Sequence, residues 1–319
     1  MEGSIIAVDL GGTWLRVARY RADGTRQQRL RMATRAEEGA EAVIERVVQG
    51  VQAVLPEDGR VKAVGLAMPG PLDPYRGVVI EAPNLPGWER VPIRDRLQEA
   101  LGLPVYVGND ANLAALGEHR YGAGRGVGDL VYITVSTGVG GGIIVQGRLL
   151  LGSGGLAGEI GHMVVEPDGP PCPCGRWGCL EALASGTALG RQARELAARG
   201  QAEVILRRAG RLEAIDGATV GDAALQGDPV AQELIRRAGY YLGLAITNLM
   251  HLLNPARFVL GGGVTQVGDL LFDAIKTTVR ERTMGPLYWE GVEIVPAELG
   301  DDVGLLGALA LVLSEAEAA

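Results

Sequence analysis

Residues 4–20 read SIIAVDLGGTWLRVARY. Ser4 to Asp9 is an apolar run ending on a carboxylate, Gly11-Gly12 turns the chain, and Trp14 to Tyr20 alternates in strand fashion. That pattern predicts a β-hairpin, with Trp14, Arg16, Ala18 and Tyr20 on one face and Asp23-Gly24 turning into a third strand. The unit recurs as strand Leu130 to Ser136, glycine loop Thr137 to Gly142, strand Ile143 to Val145, turn Gln146-Gly147 and strand Arg148 to Leu151. Two strand–glycine–strand units in one chain point to two related halves.

Helices are predicted between them. Val43, Ile44, Val47, Val48, Val51, Val54 and Leu55 form an apolar stripe at helical spacing, and Lys62 to Ala67 reads as a buried strand. Asp228-Pro229 has the form of an N-cap with proline at the first helical position, opening a helix that Asn254-Pro255 stops. Arg257 to Leu260 reads as a strand running into Gly261-Gly262-Gly263, and Val303 to Leu313 as a final apolar helix. Alternating strands and helices imply an α/β architecture, and 319 residues suit two domains at roughly 150 residues each.

Composition bounds the function. With 47% hydrophobic and 21% charged residues the chain is an ordinary globular protein, and a net charge of -8 gives no basic footprint for nucleic acid. Only Lys62 and Lys276 are lysines among 30 cationic side chains, and no GxxxxGK[ST] loop is present, which excludes a P-loop enzyme. No stretch of about 18 uninterrupted apolar residues predicts a membrane span. The N-terminus lacks a basic region ahead of its first strand, so the cytoplasm is the expected location.

Three glycine runs each follow an apolar strand. Asp9-Leu10-Gly11-Gly12-Thr13 joins a carboxylate, two glycines and a hydroxyl. Glycines let backbone N–H groups approach a phosphate, and Asp9 is placed to hold Mg²⁺ through water. A plain hairpin turn explains the same residues. Ser136-Thr137-Gly138-Val139-Gly140-Gly141-Gly142 repeats the chemistry, with four glycines in five positions. A strand follows it, which excludes a dinucleotide fingerprint, since that must open a helix. Gly261 to Gly263 can approach a base and ribose, or simply turn the chain.

Asn109-Asp110-Ala111-Asn112 lies between the strand Val105 to Val107 and the helical pattern Leu113 to Leu116. Asp110 is there either a helix N-cap or a general base that accepts a hydroxyl proton during phosphoryl transfer. Glu159, His162 and Glu181 are further polar groups suited to a hydroxyl-rich substrate. Cys172, Cys174 and Cys179 fall within eight residues, with His162 ten residues before the first. Three thiolates and one imidazole are a set typical of structural Zn²⁺. Buried unligated thiols or a redox pair are the alternatives.

Together DLGGT at 9–13, GND at 108–110, STGVGGG at 136–142, GEIGH at 158–162, CPCGRWGCLE at 172–181 and LGGG at 260–263 resemble the ROK family (repressors, open reading frames and kinases), and within it the bacterial glucokinases. The motifs span most of the chain in family order. The resemblance implies an actin-like, hexokinase-type ATPase fold of two domains with a central cleft. Residues 1–108 would form a small domain completed by a C-terminal helix at 303–319, and 109–302 a large domain carrying the zinc site. It implies ATP, Mg²⁺ and structural Zn²⁺, and phosphorylation of a hexose with Asp110 as base. Sugar contacts are implied at Gly70, Asn84, Asn109, Asp110, Glu159, His162 and Glu181. Nucleotide and Mg²⁺ contacts are implied at Asp9, Gly11, Gly12, Thr13, Thr137, Gly138, Gly261 and Gly262, and zinc ligands at His162, Cys172, Cys174 and Cys179. The expected assembly is a homodimer or homotetramer. Trp14 departs from the family, where many members carry Lys or Asn. The same residues serve a kinase of N-acetylhexosamines or fructose. Repressors of the family carry a helix-turn-helix ahead of the first glycine loop, which here begins within ten residues of the start. A sugar sensor without DNA binding is the remaining alternative.

Overall fold

The structure, a computed structural model, describes residues 3–82 and 85–318. The chain divides into two compact units: unit 1 comprises residues 1–126, 142–158 and 298–319, and unit 2 comprises 127–141 and 159–297.

In unit 1, the opening stretch folds as β1 (Ser4–Leu10), β2 (Trp14–Tyr20) and β3 (Arg26–Ala33), followed by α1 (Gly39–Ala53) and β4 (Val61–Met68). A small hairpin sheet follows, β5 (Leu72–Asp73), β6 (Val78–Glu81) and β7 (Glu89–Val91), which sequence periodicity did not reveal because its strands are so short. Then come α2 (Ile93–Leu101), β8 (Val105–Asn109) and α3 (Asp110–Tyr121). The main sheet is ordered β3-β2-β1-β4-β8, antiparallel through β3, β2 and β1 and parallel through β1, β4 and β8. Ile6, Val8, Val64 and Leu66 bury one face of it against Val43, Val47 and Val51 of α1. Each such side chain contributes roughly 1.5–3 kcal/mol on full burial. Alternation along β2 fails at its end, where Ala18 and Tyr20 join Val17 in the core because the strand is covered on both faces.

The chain then forms β9 (Leu130–Val135), β10 (Val139–Val145) and β11 (Arg148–Leu149). In unit 2 follow α4 (Leu180–Ala184), α5 (Gly186–Ala198), α6 (Glu203–Ala209), α7 (Gly217–Leu225), α8 (Pro229–Leu253), β12 (Arg257–Gly261), α9 (Asp269–Arg282) and β13 (Glu293–Pro296). The final helix, α10 (Val303–Ala318), returns to unit 1. The second sheet is ordered β11-β10-β9-β12-β13, and β12 is parallel to both β9 and β13. This repeats the first sheet strand for strand, so the two halves read from the sequence are one topology used twice. The ends of α8 match the sequence closely. Asp228 Oδ1 accepts from Ala231 N–H at 2.7 Å, and Asn254 closes the helix with a left-handed φ of 45°.

Two boundaries differ from the sequence reading. The second glycine loop is shorter than Thr137 to Gly142, because β10 begins at Val139. Its glycines are needed for close packing: a Cβ on Gly141 would lie 2.4 Å from Ile160 Cδ1, and one on Gly142 would lie 2.6 Å from Ala115 Cβ. The division of the chain also falls elsewhere than residue 108. α3 stays in unit 1, where Gly117 meets the backbone of Gly307 on α10, with a notional Cβ 3.0 Å from its nitrogen. α10 in turn lies flat on the sheet at Gly65, whose Cβ would come 2.2 Å from Ala308 O.

Candidate functional site

In unit 1 the turn Asp9 to Thr13 is fixed from outside. Gly11 N–H donates to Trp14 O at 3.0 Å, Thr34 Oγ1 donates to Gly11 O at 2.6 Å, and Thr34 N–H donates to Thr13 O at 2.9 Å. Burial pushes the Asp9 carboxyl above its ordinary value, against the pull of Arg16, whose Nη1 donates to Asp9 Oδ2 at 2.8 Å. Gly304 at the start of α10 lets the carboxylate sit close, since a Cβ there would be 2.6 Å from Asp9 Cγ. Trp14, the departure from the family pattern, lies under the Arg31 guanidinium at 3.8 Å.

The helix cap, one of the two roles left open at Asp110, falls to its neighbour. Asn109 is the N-cap of α3: its Oδ1 accepts from Ala111 N–H at 3.0 Å and Asn112 N–H at 3.1 Å. Asp110 is the first residue of the helix proper and is exposed. Its Oδ1 accepts from Ala111 N–H at 2.8 Å. The other end of the Asn109 amide donates from Nδ2 to Gly70 O at 3.3 Å, bringing two of the expected sugar-contacting positions together. Gly70 has a φ of 92°, and a Cβ there would lie 2.3 Å from Glu81 O, so only glycine fits. Asn84 lies outside the described residues.

In unit 2, Ser136, Thr137 and Gly263 line a cavity of about 450 Å³. Thr137 was expected at a nucleotide site. Gly261 and Gly262 come just before Gly263, at the end of β12. Gly262 packs on β9, with a notional Cβ 2.4 Å from Val135 O. The cavity also takes in Gly186, Arg194, Asp216 and Gly217, which sequence reasoning did not single out. Gly186 and Gly217 open α5 and α7 and touch each other: a Cβ on Gly217 would be 2.6 Å from Gly186 Cα. Asp216 caps α7 by accepting from Thr219 N–H at 2.8 Å. The signal available for these residues was an ordinary capping pattern, Asp216-Gly217, with nothing to mark it as lining a cavity.

His162, Cys172, Cys174 and Cys179 bring one ligand atom each within 4.8 Å of one another. Cys174 Sγ lies 3.8 Å from Cys179 Sγ, and Cys172 Sγ lies 3.7 Å from His162 Nδ1. Tetrahedral zinc with Zn–S near 2.3 Å requires S···S of about 3.8 Å and S···N of about 3.6 Å, so the cluster is compatible with structural zinc. No disulfide joins the thiols. Burial pushes Cys172 up to about 12 and raises Cys179 as well. At Cys174 burial is outweighed by hydrogen bonds, from Arg176 N–H and from its two neighbouring cysteines, and the thiol is lowered. A bound divalent cation would hold all three as thiolates. Glu159 precedes the 3-10 turn Ile160–His162 and is exposed, with its carbonyl accepting from His162 N–H at 3.1 Å. Glu181 Oε2 accepts from Val139 N–H at 2.9 Å, where the second glycine loop enters β10.

Comparison with known proteins agrees with this architecture. The chain is 38% identical over 309 residues to a glucokinase of Thermotoga maritima, covering 97% of this chain and 96% of that one. It is 34% identical to an N-acetylmannosamine kinase of Escherichia fergusonii, covering 97% and 98%. A crystal structure of a ROK family glucokinase from Streptomyces griseus, in complex with glucose and AMPPNP, superposes with a TM-score of 0.82 at 38% identity, covering 97% of this chain and 99% of that one. The fold is that of the actin-like ATPases to which such ROK kinases belong. Residues 5–315 match the ROK family as a whole, and the chain belongs to it.

Proposed function

We propose that this protein is an ATP-dependent hexose kinase acting on glucose, with Asp110 as general base. The observation that carries the reading is the division of labour at the start of α3. Asn109 takes the capping role, and Asp110 stands exposed at the helix N-terminus beside the Asn109–Gly70 pair. Asp110 accepts the proton of the sugar hydroxyl as its oxygen bonds to the γ-phosphorus of ATP. The bond from that phosphorus to the bridging oxygen breaks, and ADP leaves with the electron pair. General base catalysis of this kind contributes on the order of 10²–10⁴-fold.

Gly70, Asn109, Glu159, His162 and Glu181 are the proposed sugar-binding groups, with Asn84 added from the family pattern. The cavity at Ser136, Thr137 and Gly263 is the proposed nucleotide pocket, and its two helix N-termini favour a polyanion. Asp9 would hold Mg²⁺ through water, and that ion would neutralise charge on the phosphates. His162, Cys172, Cys174 and Cys179 would hold Zn²⁺ in a closed structural site, which leaves His162 Nε2 for the sugar.

The test is Asp110→Asn. Glucose affinity by calorimetry should stay within about tenfold of wild type while turnover falls at least ~10². Turnover close to wild type would remove Asp110 from the mechanism.

A further inference from the structure

The segment that leaves the cysteine cluster does not run away from it as a free helix. It grips the second glycine loop at Ser136, Thr137 and Val139. Cys179 is the residue before α4, and two residues later Glu181 Oε2 accepts from Val139 N–H at 2.9 Å. Gly186 N–H then donates to Ser136 O at 2.7 Å, and Thr187 N–H to Thr137 O at 3.3 Å. The loop closes on itself beneath these contacts, with Ser136 N–H donating to Gly138 O at 2.9 Å.

The imidazole side of the cluster reaches the same place. Gly161, adjacent to His162, packs so close to Val139 that a Cβ would lie 2.0 Å from its carbonyl oxygen. Leu180 N–H donates to Met163 O at 2.9 Å, tying the strand of chain after His162 to the one after Cys179. Val139 is therefore held from both flanks of the four-ligand cluster. Gly138 leaves room for the same carboxylate: a Cβ there would stand 2.4 Å from Glu181 Oε2. A carboxylate–amide hydrogen bond is among the stronger ones a side chain can make, and here it fixes a backbone amide next to the nucleotide cavity.

We infer that Glu181 is a positioning residue for the nucleotide: through it the metal loop sets the shape of the Ser136–Val139 loop, so that nucleotide affinity depends on the metal even without sugar. This rests on the reading of that loop as part of the nucleotide site. A role in sugar contact alone would leave nucleotide binding in the absence of sugar untouched.

The experiment measures binding of Mg·AMPPNP to the zinc-loaded full chain without sugar, by calorimetry. Glu181→Ala should weaken it about tenfold, whereas Glu181→Gln, whose amide oxygen still accepts from Val139, should stay within about threefold. Wild-type protein stripped with 1,10-phenanthroline, which spares Mg²⁺, should show the same tenfold loss. Stripping Glu181→Ala should add little, because both act through one contact. Hydrogen exchange over residues 136–140 should quicken in both. Equal affinity of Glu181→Ala and wild type would overturn the inference, as would unchanged affinity after stripping. Failure of the wild type itself to bind the nucleotide would instead overturn the kinase reading beneath it.

Discussion

Asn109 and Asp110 show what one residue can and cannot say in a sequence. Both types are favoured caps, so the letters alone left Asp110 open between capping and catalysis. The backbone gives the cap to Asn109, because its extended φ/ψ (-63°, 141°) puts its Oδ1 over two amides and makes Asp110 helical. Glu118, eight residues further along α3, was not legible at all. Its carboxylate is fully buried and accepts from Ala123 N–H at 2.8 Å, Glu298 N–H at 3.1 Å and Leu299 N–H at 2.9 Å. Two of these partners, Glu298 and Leu299, are backbone groups far along the chain, which leave no trace in local spacing. Glu118→Ala would strand the Glu298 and Leu299 amides, and each unsatisfied buried group costs about 1–3 kcal/mol. A loss of roughly 3 kcal/mol in urea unfolding is expected, smaller for Glu118→Gln. A melt indistinguishable from wild type would show that the latch contributes nothing.

At the scale of elements, the pieces with strong local signals were read well. α8 announced both ends through Asp228-Pro229 and Asn254-Pro255, and the first hairpin followed from DLGGT between two apolar runs. Glycine was the ambiguous letter. Gly141 and Gly142 looked like loop but lie in β10, where neighbouring atoms exclude a side chain. The hairpins β5 to β7 are two to four residues long, too short for periodicity to register. The cysteine loop was legible because spacing and residue type agree, and its geometry makes a prediction. Cys174→Ser should lose bound zinc by elemental analysis and lower both thermal stability and glucose affinity, since structural zinc can be worth ~10–16 kcal/mol in small isolated sites. A zinc-free variant with normal glucose affinity would detach the metal from the sugar site.

For the molecule as a whole, the repeated strand–glycine–strand pattern foretold a repeated sheet, and the two five-stranded orders coincide. Where the chain divides was harder to read. The return of α10 to unit 1 was implied by the family resemblance, but residues 142–158 return there as well, with Gly142 packed on Ala115 of α3. Much of the cavity lining beside Thr137 and Gly263 stayed hidden for a like reason, since Gly186, Arg194 and Asp216 come from distant elements that converge only in the fold. The central claim concerns the chain's chemistry, and one measurement tests it most directly. It is ADP release by the zinc-loaded protein with Mg·ATP against glucose, mannose, fructose, N-acetylglucosamine and N-acetylmannosamine. The account predicts turnover with a strong preference for glucose. No turnover on any of the five sugars would contradict it.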